Sequence, residues 1–325
     1  MMEELTLEEE FNLTEDELFS RIDNSSINSE KITAPRYSYW KSVGRVFFKK
    51  KINIILLALL AFIIIFSFIY PLIAGYNFSE NLGNSETYLL SPGKAIGHFG
   101  FSLKYIMGTG QQGQSIFNQL WSSASISLGL ALICAAINLT IGVILGAIWG
   151  FSKKIDVIMT EIYNIIGNVP YLLLVAVLVL IVGAGFWAFV FALTVTGWLG
   201  IAYFIRTQVI IIRDREYNLA SRCLGTPLIR LTMKNVLPFM TSIIVTIAAT
   251  EIPSYISYEV FLSYIGFGMS SSSLGKMIES GQKFMTTPGL QYVFWIPVIV
   301  ASIITVILYV IGQNLGDASD PRTHM

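Results

Sequence analysis

The chain has 325 residues, 54% of them hydrophobic and only 13% charged, with 21 basic against 21 acidic side chains and a mean hydropathy of +0.65. About a quarter of the residues in a soluble globular domain are charged. Composition therefore excludes that class and points to lipid as the solvent, with membrane lipid as a partner and no nucleic acid.

Residues 1–36 read as an acidic cytoplasmic tail, since ten of the 21 acidic residues fall within 1–30, beginning Glu3, Glu4, Glu8, Glu9 and Glu10. Such a run is ordinarily solvated and unstructured. Against that, Thr14 and Glu17 form a capping-box pattern with Leu18, Phe19 and Ile22 behind it, which suits a short docking helix. The polar start followed by a full-length apolar run predicts no cleavable signal peptide. Residues 37–51 then mix Tyr37, Tyr39, Trp40, Phe47 and Phe48 with lysines at 49–51, a composition suited to the headgroup layer.

A helix crosses a bilayer core with about 20 predominantly apolar residues. Six runs qualify, at 52–74, 121–151, 157–182, 186–212, 238–258 and 291–311. The expected fold class is thus an all-α polytopic membrane protein with six transmembrane helices. Its parts are a first helix at 52–75, an extracellular segment at 76–116, a core of five further helices at 117–316 and a cytoplasmic tail at 317–325. With six spans both termini share a side. That side carries 17 of the 21 Lys and Arg; Lys94, Lys104, Lys276 and Lys283 lie opposite. The excess of bases predicts cytoplasmic termini.

Within the second span Gly142, Gly146 and Gly150 recur every four residues, which reads as close helix packing. Pro170 and Pro253 are each expected to kink or interrupt a span and are candidate pathway residues, since broken helices line translocation routes. Glu161, Glu251 and Glu259 lie at or near membrane depth, where a carboxylate is costly unless it is paired or wet. Glu251, well inside the fifth span, is the stronger candidate to line a cavity, and Glu259 joins it as a pathway candidate. Cys134 and Cys223 fall in different environments and predict no disulfide.

Enzymatic alternatives find little support. Only His98 and His324 exist, so no HExxH zinc site can form, and no metal site is expected. The serines at 270–273 have no evident base nearby and read as a flexible outer loop. "SLGKMIES" lacks the spacing of a phosphate-binding loop. No catalytic residue is expected.

The remaining feature is polar: "EYNLASRCLGTPLIRLTMKNVLP", residues 216–238, between two apolar runs. Asp214 is placed to cap a helix whose first turn carries Glu216, with Tyr217, Leu219, Ala220, Cys223 and Leu224 as its apolar face. Gly225 stops that helix, Thr226 caps a second and Pro227 occupies its first turn. Residues 206–234 carry six bases against Asp214 and Glu216. Physical reasoning alone leaves two readings open: a lever pushed by a partner, or a basic helix lying on the anionic leaflet.

This stretch resembles the cytoplasmic signature loop of ATP-binding cassette (ABC) importer permeases. Ala220 and Ser221 take its paired alanine positions, Gly225 its glycine and Leu237 with Pro238 its ending, while Leu219 replaces its glutamate. "GTGQQGQSIFNQLWSSASISL" (108–128) and "ISYEVFLSYIGFG" (256–268) resemble the C-type subunit of oligopeptide and dipeptide importers. In the first, Gly110, Gln114 and Ser115 stand where the family has charged residues. "TAPRYSYW" and "GQNLGDASDPRTH" are similar to the oligopeptide permeases of streptococci and relatives.

The resemblance implies a type I ABC importer permease fold with a cytoplasmic coupling helix in a loop at 213–237. It implies that Glu216, Tyr217, Leu219, Ala220, Ser221, Arg222, Gly225, Thr226, Pro227 and Pro238 engage an ATPase. Implied partners are a homologous second permease, two cytoplasmic ATP-binding subunits and an extracellular lipid-anchored peptide-binding protein, in the plasma membrane of a Gram-positive bacterium. No cofactor is implied on this chain, with ATP and Mg on the ATPases. Dipeptide or nickel transport shares these motifs, and a peptide-sensing scaffold is the alternative of another class.

Overall fold

A computed structural model describes residues 38–74 and 85–320; the acidic segment 1–36 with its expected docking helix, and the last five residues, lie outside them. The chain divides after Ser42 into two units, and every membrane-spanning stretch belongs to the second, which starts at Val43. Among the described residues the long elements are all helices.

Helix α1 (Tyr39–Lys49) leads into α2 (Lys51–Ala74), a nearly uniform apolar span. A short helix, α3 (Pro92–Phe99), precedes α4 (Ile116–Phe151). Ser115 caps α4, its hydroxyl accepting from Asn118 N at 3.2 Å and donating to Lys104 O, so one of the substituted family positions serves the helix start. After α4 come α5 (Lys153–Gly167), α6 (Tyr171–Val182), α7 (Phe186–Thr194) and α8 (Trp198–Arg213). Next are α9 (Glu216–Cys223), α10 (Leu228–Leu231) and α11 (Thr241–Leu262), and finally α12 (Leu274–Gly281) and α13 (Tyr292–Ser319).

Among the described residues five helical stretches are long and apolar enough to cross a membrane: Lys51–Ala74, Ile116–Phe151, Phe186–Arg213, Thr232–Phe267 and Tyr292–Ser319. The count is six when α5 and α6, bent by 80° at their junction, are one broken crossing. The apolar run at 157–182 is thereby broken before Pro170, where an interruption was expected. Pro170 has no N–H to extend α5 and disfavours helical backbone before it, and its carbonyl instead accepts the first bond of α6, from Leu174 N at 3.1 Å. Pro253 behaves differently. It lies inside α11, which runs on through it uninterrupted, with Ser254 and Ser257 donating to the carbonyls of Thr250 and Pro253 at 2.8 and 3.0 Å.

The glycine stripe packs as expected. A Cβ on Gly142, Gly146 or Gly150 would come within 2.7, 2.5 and 2.7 Å of Ile201 Cβ, Ala202 O and Val209 Cβ, so the bare backbone of α4 lies directly against α8. On the face bearing α3, Tyr292 Oη lies 2.9 Å from the carbonyls of both Leu90 and Thr109, and Gln111 reaches Ser280 O at 2.7 Å. These bonds tie residues 85–116 to the start of α13 and the end of α12.

Candidate coupling surface and transport cavity

The loop between α8 and α11 is built on the C-terminus of α8. Arg215, with extended backbone, occupies the position before α9 and makes no side-chain cap; Asp214, expected there, instead follows α8 and pairs with Arg213 at 3.3 Å. Helix α9 ends in a Schellman arrangement: Thr226 N bonds Ser221 O at 3.1 Å and Gly225 N bonds Arg222 O at 2.9 Å, with Gly225 at φ +80°. That conformation is the reason for glycine at this position. Helix α10 begins one residue later than expected, at Leu228, because Pro227 O accepts its first bond, from Leu231 N at 3.1 Å. Thr226 therefore lies in the turn, one residue before Pro227.

After α10 the chain widens into a π-turn (Thr232–Val236) and tightens into a 3₁₀ turn (Leu237–Met240) carrying Pro238. Leu231, Val236 and Met240 are fully buried against Ile201, Ile205 and Val209 of α8 and Ala147 and Phe151 of α4. The loop is thus seated in the same seam that the glycine stripe closes.

Helix α9 inverts the usual arrangement of a surface helix. Its buried residue is polar: Asn218 donates to Ile212 O at 2.9 Å and accepts from Asn235 Nδ2 at 3.3 Å, joining α8, α9 and the π-turn. Its apolar residues face outward. Tyr217, Leu219, Ala220 and Cys223 are exposed, Leu224 is 86% exposed, and Phe239, itself exposed, stacks on Tyr217 with ring centroids 5.7 Å apart. Glu216, Arg222 and Pro227 are exposed beside them, and Ser221 and Thr226 half-buried. Of the six bases, Arg206 and Arg213 are spent inward, Arg206 on Asp156 and Arg213 on Gly150 O. Arg215, Arg222, Arg230 and Lys234 remain exposed. Sequence reasoning missed Asn218, although a polar residue inside the motif was the available signal.

A second site lies at the α5–α6 break. A cavity of about 420 Å³ is lined there by Pro170, Tyr171, Gly197, Gly200, Glu251, Tyr255 and Tyr258, among others. Two of the sequence candidates, Glu251 and Pro170, thus come together although 81 positions separate them. Tyr255 accepts from Asn138 Nδ2 at 2.5 Å, and Tyr171 donates to Leu193 O at 2.8 Å. The wall is therefore aromatic, with one carboxylate and a fixed set of hydroxyls. Pro253 lines a separate groove of about 290 Å³ with Ser254, Ser257 and Tyr309, which shares Tyr258 with the first.

Glu259 joins neither. It is fully buried, accepting from Ser127 at 2.9 Å, Ser263 at 3.0 Å, Ser273 at 2.6 Å and Gly275 N at 3.3 Å. This corrects its placement on a pathway: every donor is protein, and none of the four is free for a passing solute. It also corrects the reading of the serines at 270–273 as a loose outer loop. Ser272 and Ser273 are buried, Ser273 caps α12 through Lys276 N at 3.0 Å, and Ser272 bonds Ser123 at 2.6 Å. No group of three metal-ligating side chains occurs among the described residues.

The sequence matches the family of binding-protein-dependent transport system inner membrane components over residues 138–325, and the N-terminal TM domain of oligopeptide transport permease C over residues 38–92. It is 44% identical over 317 residues to the oligopeptide transport system permease protein AmiD of Streptococcus pneumoniae, spanning 95% of this chain and 98% of that protein. Identity is 34% to the oligopeptide transport system permease protein OppC of Bacillus subtilis, with 91% and 93% covered. It is 32% to the dipeptide transport system permease protein DppC of Lactococcus lactis, with 91% and 94% covered. This polytopic, all-helical chain therefore belongs to the inner membrane components of binding-protein-dependent transport systems, the transmembrane permease subunits of ABC importers.

Proposed function

We propose that this chain is the C-type permease subunit of an ATP-driven importer that carries oligopeptides into a Gram-positive bacterium, its termini cytoplasmic. It pairs with a homologous second permease. Of two cytoplasmic ATP-binding subunits, carrying ATP and Mg, one docks on Tyr217, Leu219, Leu224 and their neighbours, and a lipid-anchored binding protein delivers peptide from outside. The observation that carries this reading is the inversion of α9: a helix that buries Asn218 and turns its apolar side chains outward is completed by a partner surface. The relatives named for oligopeptide transport support the substrate class. Glu251, Pro170 and the tyrosines beside them form this subunit's part of the peptide route.

In the cycle, ATP binding draws the ATPase subunits together, α9 moves with them, and the seam of α4 and α8 passes that movement to the cavity wall. The test is uptake of a labelled pentapeptide by cells lacking this chain, with and without its plasmid-borne return, and with unlabelled dipeptide and hexapeptide as competitors. Loss, rescue and stronger competition by hexapeptide are expected. Stronger competition by dipeptide would transfer the chain to the dipeptide class, and unchanged uptake would refute the importer reading.

A further inference from the structure

Helix α5 forms one wall of the 420 Å³ cavity through Tyr163, Ile166 and Gly167, yet none of its residues is buried. Val157, Ile158 and Ile165 on it are each more than 60% exposed. Its far end is cut free of α6 by the 80° break. What fixes it is Asp156 in its first turn and Tyr163 two turns further on. Asp156 makes an ion pair with Arg206 of α8, side chains 24% and 16% exposed, and the same carboxylate oxygen accepts from Trp149 Nε1 of α4 at 2.9 Å. The guanidinium carbon lies 5.6 Å from the Trp149 ring and 5.5 Å from that of Tyr203, and Tyr203 stacks on Tyr163 of α5 at 4.3 Å, the planes 7° apart.

We infer that the Asp156–Arg206 pair, clasped by Trp149 and Tyr203, is the latch through which movement of the coupling loop reaches the cavity wall. Arg206 lies two turns before the end of α8, which runs through Asp214 and Arg215 directly into α9. A shift of α9 displaces α8, and the latch obliges α5 to follow. A planar guanidinium held between rings and a carboxylate keeps its direction, which a lysine would not. Without it α8 could turn while α5, bound by little else within the chain, stayed behind. Asp156 and Arg206 are positioning residues: they touch no substrate.

The latch rests on the importer reading above, and reconstitution separates the two. The complete complex in proteoliposomes, with binding protein and labelled pentapeptide, is assayed for ATP hydrolysis and uptake together. For Asp156→Asn, hydrolysis stays within about twofold of wild type while peptide moved per ATP falls about tenfold, the loss expected from one charge-assisted hydrogen bond. Asp156→Glu, which keeps the charge, recovers most of it. If Asp156→Asn does not assemble, Trp149→Phe removes a single donor and lowers the ratio about threefold. An unchanged ratio, or uptake and hydrolysis falling in parallel, overturns the latch. A wild-type complex that hydrolyses ATP and moves no peptide overturns the importer reading itself.

Discussion

At one end of α11 Glu259 is enclosed by four donors of its own chain, whereas at the other Tyr217, Leu224 and Phe239 present bare apolar surface beside exposed bases. The first region satisfies itself. Its carboxylate, a costly group at that depth, is matched by hydroxyls from α4, the stretch after α11 and the cap of α12, so it needs nothing from outside. The second region is complete within the chain only at its root, where Asn218 and the Leu231 cluster seat it on α8. Burial of polar groups therefore marks what holds this subunit together, and the exposed apolar groups of α9 mark where we propose that it meets a partner.

The contrast can be broken most severely at its closed end. Glu259→Leu strands three hydroxyls and an amide in an apolar site, and is expected to cost about 3 kcal/mol, read as a lowered thermal unfolding midpoint of the permease pair in detergent. Next comes the seam that both regions lean on. Gly146→Val drives a side chain into Ala202 O and Ile205, and should cost about 2 kcal/mol in the same assay. At the open end the effect moves from stability to coupling. Gly225→Pro loses the bond to Arg222 O and cannot adopt φ +80°. Peptide uptake per ATP should fall about tenfold, a conformational penalty of about 1.4 kcal/mol, with the complex still assembled; coupled transport at the wild-type level would count against the lever. The smallest change sharpens the comparison between the two buried acids. Glu251→Gln should leave assembly intact and lower uptake about threefold, whereas an unaltered rate would remove that carboxylate from the route.

Much of this was legible in the residues. The apolar runs located every crossing, because hydrophobic length is a property of composition alone. They carry no direction, so the interruption between α5 and α6 was signalled by Pro170 and not by hydropathy, and the 80° of the bend was not legible at all. The turn at Gly225 was legible because a local motif needs its residue type locally. Asp214 was misplaced by a residue, since capping depends on which carbonyl takes the first helical bond. The serines at 270–273 were misread because Ser127, which shares their knot with Glu259, lies 132 positions from that acid, and no local pattern reports such a partner. Glu251 and Pro170 were found one by one; only the fold set them on the same wall.

The seam of Gly142, Gly146 and Gly150 carries a mechanical consequence. Where Ile201, Ile205 and Val209 of α8 press directly on the bare backbone of α4, neither helix can slide or roll without collision, and α4 and α8 are left with the freedoms of a single beam. A beam cannot flex to let a peptide past. All bending in the transport stroke must fall at its joints, the 80° elbow before Pro170 and the short turns on either side of α9, and a substitution that stiffens an elbow will arrest the stroke without loosening the beam.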